Sequence, residues 1–510
     1  MKQFRLPITG EVPSSQNNRK HTWSVIFLFI LLSFLVRFPY YFKSVIDWDE
    51  SSFINQGASL LSGNLPYTVL WDNKPPLVFV FFALVLLLGK SIVLVRIAGT
   101  ICVFLTAYMI WRIGKLVWNR DAGLVAGILT IVFISLCPDN QGQPTMTEII
   151  ALVPATGALL ILLRGPANWQ KVFFSGVLLS VATLVRANLA YLDVAVVLFI
   201  AARLSRRGVH TLLRCTCAYI IGGILPFLIV FMPYVLTGNE EQFMGAVFLA
   251  PLSFVRESSD SGMLSILTAG FDRSNALLWL GCLLGVPVVF ARWKAFHKDQ
   301  RCQIILITVF LLSVFWSVIA TRRDYGHYLI QVIPYMALFA GYLFSAVRAY
   351  LPKVPLLIIL CAGLTAPARP LLSQYAWVGS RLLSHQALLD DESRRIASYI
   401  SANNPNNEPI YMMTDPIVYW LLGVSPISRA VSHPSTIGKE YFLKIFLGPQ
   451  ASTEGELAAI LDKKPLFIVK REKVWYLSGN AAKFLDNSIA EHYTLVETVG
   501  DELIFRRVQK

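Results

Sequence analysis

Twelve apolar runs, at 23–42, 77–90, 92–117, 121–137, 145–163, 171–185, 188–203, 213–236, 274–291, 303–321, 326–347 and 354–368, fill most of the chain up to Pro370. About 20 consecutive apolar residues are long enough to cross the hydrocarbon core as a helix. The runs therefore predict a polytopic α-helical membrane protein. Composition agrees, with 55% hydrophobic residues against roughly 45–50% in soluble domains. The cysteines lie in or at the edges of apolar runs, so no disulfide framework is expected.

Lys and Arg collect in loops that face the cytoplasm. By that rule the basic segment 1–22, read as a disordered tail, lies inside, and the loop 43–76 after the first span lies outside. No small-residue cleavage site follows Trp23–Phe42, which reads as a retained anchor. The basic clusters around Arg112–Arg120, Arg164–Lys171, Arg203–Arg214, Arg292–Arg301 and Arg348–Lys353 also fall inside, provided that 77–117 crosses once. Run 77–90 is then a re-entrant or juxtamembrane helix. The prediction is about 11 transmembrane helices plus juxtamembrane helices, with the transmembrane domain over 23–370. The net charge of +14 belongs to those loops. No soluble basic module points to nucleic acid, and the membrane lipids are the expected surroundings.

After Pro370 the pattern changes. Helices near 390–401, 454–461 and 480–491 alternate with strand candidates at 409–413, 466–470, 493–499 and 502–508. That alternation predicts a small soluble α/β domain over 371–510, outside the membrane.

The first outer loop, DWDESSFINQGASLLSGNLPYTVLWDNKPPL from Asp47 to Leu77, carries unusual charge for a connector. Phe53, Ile54, Ala58, Leu60 and Leu61 recur at helical spacing and Gly63 ends the run, which predicts a short amphipathic helix on the membrane surface. Asp47 and Glu50, three apart, match a capping box at its start. Asp49 has no such task. A helix N-terminus keeps a carboxylate ionised, and an ionised carboxylate can take a proton from an incoming hydroxyl. Asp49, with Glu50 beside it, is the candidate catalytic pair.

Asp72 and Lys74 lead into Pro75-Pro76, which force an extended backbone. Lys74 is either a snorkelling anchor or a fixed cation on the outer face. Glu148 begins a span, either as the far end of a capping box from Thr145 or as a carboxylate facing a polar cavity. Arg186, Arg322, Arg323 and His327 stand at outer ends of spans, against the positive-inside trend. Arginine holds phosphate through paired hydrogen bonds; the plainer alternative is anionic-lipid contact or pairing with Asp193 and Asp324. Asp72, Lys74, Glu148, Arg186, Arg322, Arg323 and His327 are thus the candidate substrate-binding residues. No metal ligand set is assigned. There is no Walker sequence, Gly-rich dinucleotide turn, HExxH or lipase elbow.

An outer-loop Asp49-Glu50 soon after the first span, followed by the Lys74-Pro75-Pro76 turn, resembles the GT-C fold glycosyltransferases that use polyprenyl-phosphate sugars. The nearest branch in style is that of the bacterial protein O-mannosyltransferases and lipid A aminoarabinose transferases. The resemblance covers roughly residues 20–350 and is weaker at Pro138–Glu148 and Arg322–Pro334. It implies a donor sugar on undecaprenyl or a related polyprenyl phosphate and inverting transfer with lipid phosphate leaving. It also implies Asp49 as the acceptor-activating base, Lys74 near the donor phosphate, and Glu148 at the second acidic position. Aminoarabinose transferases carry an acid just before that lysine, which can hold zinc, and an arginine three residues after the aspartate. Here these positions are Asn73 and Ser52. Neither a divalent metal nor the sugar's identity is therefore carried over.

These readings predict an inner-membrane glycosyltransferase acting on its outer face, with a glycan or glycolipid acceptor such as lipid A, lipopolysaccharide core or another envelope glycan. The rivals are a lipid or sugar transporter or flippase, and an oligosaccharide ligase with a diphosphate-linked donor. Transporters favour internal repeats and mid-membrane charges, and this chain shows neither.

Overall fold

The structure, a computed structural model, describes residues 15–137, 141–165, 168–257, 265, 275–348, 350 and 353–508. Its membrane part begins with α1 (Ser15–Arg37), α2 (Trp48–Leu61), α3 (Leu77–Leu86), α4 (Ile92–Val117) and α5 (Arg120–Ser135). It continues through α6 (Thr147–Leu163), α7 (Trp169–Val185), α8 (Ala190–Leu204) and α9 (Val209–Leu236). Further long helices span Ala276–Ala291, Lys298–Ile319, Ile333–Val347 and Lys353–Leu383.

Among the described residues, five helical stretches are long and apolar enough to cross a membrane: Arg19–Phe42, Ile92–Val117, Ala187–Leu204, Val209–Leu236 and Lys298–Ile319. Five shorter apolar helices accompany them, α3 among them. At about 1.5 Å per residue α3 reaches about half of the hydrocarbon thickness, so it does not cross by itself. Two expectations need correction. Residues 15–22, read as part of a disordered tail, are helical, because α1 extends past its apolar run; residues 1–14 lie outside the described residues. The boundary expected at Pro370 falls inside one unbroken helix, Lys353–Leu383. Each proline there removes one N–H and leaves the other backbone bonds of the helix to carry it onward.

Small residues let the helices meet backbone to backbone. A Cβ at Gly123 would strike the α4 backbone at Trp111 and Lys115, and one at Gly176 would strike α9 at Tyr219. A polar knot ties the bundle at the end where α2 packs. Arg96 on α4 reaches Glu50 on α2 at 2.5 Å and donates to the Tyr40 carbonyl at 2.9 Å. Arg37, ending α1, donates to Thr100 at 3.1 Å and to the Gln143 carbonyl at 2.6 Å.

The remainder of the chain contains a four-stranded sheet: β1 (Ile410–Met412), β2 (Phe467–Arg471), β3 (Tyr493–Val499) and β4 (Glu502–Arg507), in the order β1-β2-β4-β3. β1 runs parallel to β2, and the other pairs are antiparallel. Alternate residues face opposite sides of a strand. Met412, Phe467 and Val469 pack with Ile396 and Ile400 of helix Glu392–Asn403. Tyr411 and Ile468 pack with Leu457, Ile460, Leu485 and Ile489 of helices Thr453–Asp462 and Gly479–His492.

The chain between β1 and β2 is fastened to the segment 43–76. Asn55 donates to the Pro416 carbonyl at 2.8 Å, and Arg429 donates to the Tyr67 carbonyl at 2.6 Å. Ser432 donates to the Trp71 carbonyl, and the Trp71 indole stacks on Phe446 with centroids 4.5 Å apart. These contacts bring a late segment over the acidic loop.

Candidate active site

A cavity of about 1530 Å³ is lined by the start of α2, the Asp72–Pro75 turn, the Arg186 hinge, the Tyr325–Tyr328 turn and the segment His433–Lys439. Asp49 lies where they converge. The N-cap is Asp47, whose Oδ1 accepts from the Asp49 N–H at 2.8 Å, so Asp47 starts the helix as its position suggested. Glu50 does not complete a capping box. It is buried, paired with Arg96, and accepts from the Thr145 N–H at 2.5 Å. It does not line the cavity. Its placement as a catalytic partner of Asp49 is corrected to one of holding α2 against α4, because successive helical residues point to different faces.

Asp49 stands 3.4 Å from Lys74 Nζ and 3.3 Å from His433 Nε2. Burial is the largest single effect and would raise its pKa, but the Lys74 ammonium together with His433, His327 and Lys439 outweighs it and holds the carboxyl well below the usual range. Burial would likewise lower Lys74, and the Asp49 and Asp72 carboxylates hold it above its ordinary value instead. Lys74 also lies over the Phe53 ring, 5.7 Å from its centroid. Asp72 accepts from Ser52 Oγ at 3.0 Å and from the Lys74 N–H at 3.1 Å, which fixes the turn; burial raises its pKa. Burial, then the neighbouring Asp49, pushes Asp47 up to about 7.

His433 and Lys439 carry no pattern that marked them in the sequence: one histidine and one lysine among loops and single-turn helices. Burial holds His433 down at about 3 and lowers Lys439 to about 8, with Lys74 adding to the latter. Lys439 Nζ donates to Ser435 Oγ at 3.1 Å, and Ser435 Oγ lies 3.1 Å from His433 Nδ1. With the ammonium donating to the serine oxygen, the hydroxyl is free to donate to Nδ1. That leaves the imidazole proton on Nε2, directed at Asp49.

Glu148 is not tied into a Thr145 capping box, since α6 starts at Thr147 with Met146 as N-cap. Its Oε1 pairs with Arg186 at 2.9 Å and stands 3.8 Å from His327 Nε2. It is buried behind Arg186 and does not line the cavity. Arg186 lines it, donates to Thr147 Oγ1 at 2.8 Å, and lies 4.4 Å from the Tyr328 ring centroid. Asp193, the alternative partner for Arg186, instead accepts from Thr183 at 2.8 Å and Tyr219 at 2.7 Å. His327 lines the cavity, and burial lowers its pKa. Arg323 lies over the Phe254 ring at 4.4 Å and donates to that residue's carbonyl at 3.3 Å. Arg322 is exposed, with φ of 53° at the end of helix Lys298–Ile319. Neither arginine lines the cavity, whereas Lys74, Arg186 and Lys439 do. Among the described residues, no group of three or more His, Cys, Asp or Glu side chains is placed to hold a metal ion.

The profile of the dolichyl-phosphate-mannose-protein mannosyltransferase family matches residues 73–236, which begins after Asp49 and ends with α9. No curated protein matches the chain. Solved structures do. ArnT from Cupriavidus metallidurans bound to undecaprenyl phosphate is 14% identical, with a TM-score of 0.62, and the match covers 98% of this chain and 99% of that one. Its apo form gives a TM-score of 0.61 at 14% identity over 96% and 98% of the two chains. The archaeal oligosaccharyltransferase AglB from Archaeoglobus fulgidus, in complex with an inhibitory peptide and a dolichol-phosphate, gives 0.54 at 9% identity over 97% and 75%. The chain has the GT-C fold that these structures share.

Proposed function

We propose that this protein transfers a sugar from a polyprenyl-phosphate carrier to an envelope glycan or glycolipid on the outer face of the inner membrane, with Asp49 as general base and inversion at the sugar carbon. The observation that carries the proposal is the convergence of Asp49, Lys74, Arg186 and Lys439 on one cavity that also has an apolar, exposed side. On that side Ile220, Ile224, Phe248 and Leu252 line the cavity and are exposed, as suits entry of a lipid tail from the bilayer.

A sugar joined to lipid through one phosphate has a fair leaving group. Catalysis then needs a base, alignment, and cations on the phosphate oxygens. In the free site Lys74 neutralises Asp49 and makes it a weak base. A donor phosphate that engages Lys74 draws the ammonium away and restores basicity where the acceptor hydroxyl arrives. The acceptor oxygen attacks the sugar carbon, Asp49 takes its proton, and the carrier phosphate departs with the bonding pair. Trp475, 73% exposed and stacked on Trp48, offers an aromatic face for an acceptor ring.

Two measurements test the reading. Mass analysis of envelope glycolipids from a strain lacking the protein should show one sugar missing. Purified protein with an undecaprenyl-phosphate sugar and an extract of that strain's envelope should restore it. An unchanged glycolipid profile, or carrier movement across vesicles without transfer, would overturn it.

A further inference from the structure

A second cavity, of about 950 Å³, lies at the opposite ends of α4 and α6. Glu148 starts α6 beside the candidate active site, and Arg164 follows its last turn. At about 1.5 Å per residue these two stand about 24 Å apart along the helix, so the second cavity belongs to the other side of the bundle.

We propose that this groove binds the phosphate headgroup of an anionic lipid in the leaflet opposite the active site. Its lining includes Arg19, Arg112, Lys115 and Arg164 and no carboxylate. Among the described residues none of these four cations is ion-paired. Gathering like charges without a counter-charge is costly, and an anion in the groove removes that cost. The cations are also held in place. Arg112 donates to Tyr108 Oη at 2.7 Å with its guanidinium over that ring, and Lys115 lies 5.6 Å from the Trp111 ring centroid.

A separate observation points to a ligand. Trp111 is fully buried yet lines the groove, and its indole N–H has no hydrogen-bond partner among the described residues. A buried donor left unpaired is costly, and an acceptor brought into the groove that Trp111 lines offers it a partner. The groove is edged by Trp23 and Leu116, 69% and 45% exposed. A free phosphate gains nothing from that edge, whereas the chains of a lipid pack against it. This supports the lipid over a soluble anion.

The test is native mass spectrometry of the delipidated full-length protein in detergent, titrated with dioleoylphosphatidylglycerol or dioleoylphosphatidylcholine. One phosphatidylglycerol should bind with clear preference. Arg164→Gln, at an exposed rim position, should weaken it about fivefold and Arg112→Gln with Lys115→Gln about thirtyfold, at about a fivefold loss per cation. Lys294→Gln with Lys298→Gln, on another basic loop, should leave it unchanged. Equal binding of both lipids, or a preference that survives in Arg164→Gln and in the double variant, overturns the proposal. Displacement of phosphatidylglycerol by millimolar inorganic phosphate overturns the lipid assignment, because it marks a free-anion site. None of these readouts depends on sugar transfer.

Discussion

The Nε2 atom of His433 lies 3.3 Å from Oδ1 of Asp49, joining the start of α2 to a segment that the chain reaches only after its last long helix. With Ser435 and Lys439 behind it, the imidazole is a positioning group for the carboxylate. A hydrogen bond to a charged group is worth about 1.5–3 kcal/mol. His433→Ala should therefore lower kcat about 10–100-fold with a smaller change in KM, and His433→Gln, which restores an N–H, should recover part of the loss. Steady-state kinetics on reconstituted protein checks the split.

Removing the proposed base should cost more. Asp49→Asn should reduce transfer about 10²–10⁴-fold while carrier binding persists, because Lys74 no longer has a competing carboxylate. Transfer at the wild-type rate by the asparagine variant would remove Asp49 from the mechanism.

The pH profile follows from the same pair. Asp49 is held well below the usual carboxylate range in the free site, so it stays ionised as pH falls and contributes no acid limb to kcat/KM near pH 5. Once the donor phosphate engages Lys74, the carboxyl pKa rises, and the acid limb of kcat should lie at higher pH than that of kcat/KM. On the alkaline side Lys439, at about 8, is a cation below that pH and neutral above it. Affinity for undecaprenyl phosphate should fall as pH rises through about 8 in the wild type, and Lys439→Arg should abolish that fall.

Glu50 should behave differently from Asp49 although it is the next residue. Breaking a buried ion pair by removing one partner costs about 3–5 kcal/mol. Glu50→Gln should lower the unfolding temperature and the yield of folded protein, which thermal unfolding in detergent measures. Asp49→Asn should change both less, because the Lys74 that it leaves behind still faces the Asp72 carboxylate.

Local pattern carried much of this protein. Apolar run length announced the long helices, short runs set between helical stretches announced β1 to β4, and the offset of Asp47 announced the cap of the helix that starts at Trp48. Each is a property of a few consecutive residues, set by backbone hydrogen bonding and side-chain period. The same logic singled out Asp49 and Lys74, whose charges have no local use. It failed at Glu50, whose spacing fits a cap but whose carboxylate finds Arg96 on another helix. It failed at Arg322 and Arg323, whose placement depends on how one turn packs on Phe254. It also gave no sign of His433 or Lys439, since nothing near them in the chain records that Ser432 and Arg429 tie their segment to Trp71 and Tyr67. The sequence by itself determined the helices, the strands and the acid with no structural task. Tertiary structure decided which cations surround that acid, because pairing between distant segments depends on packing that no local period encodes.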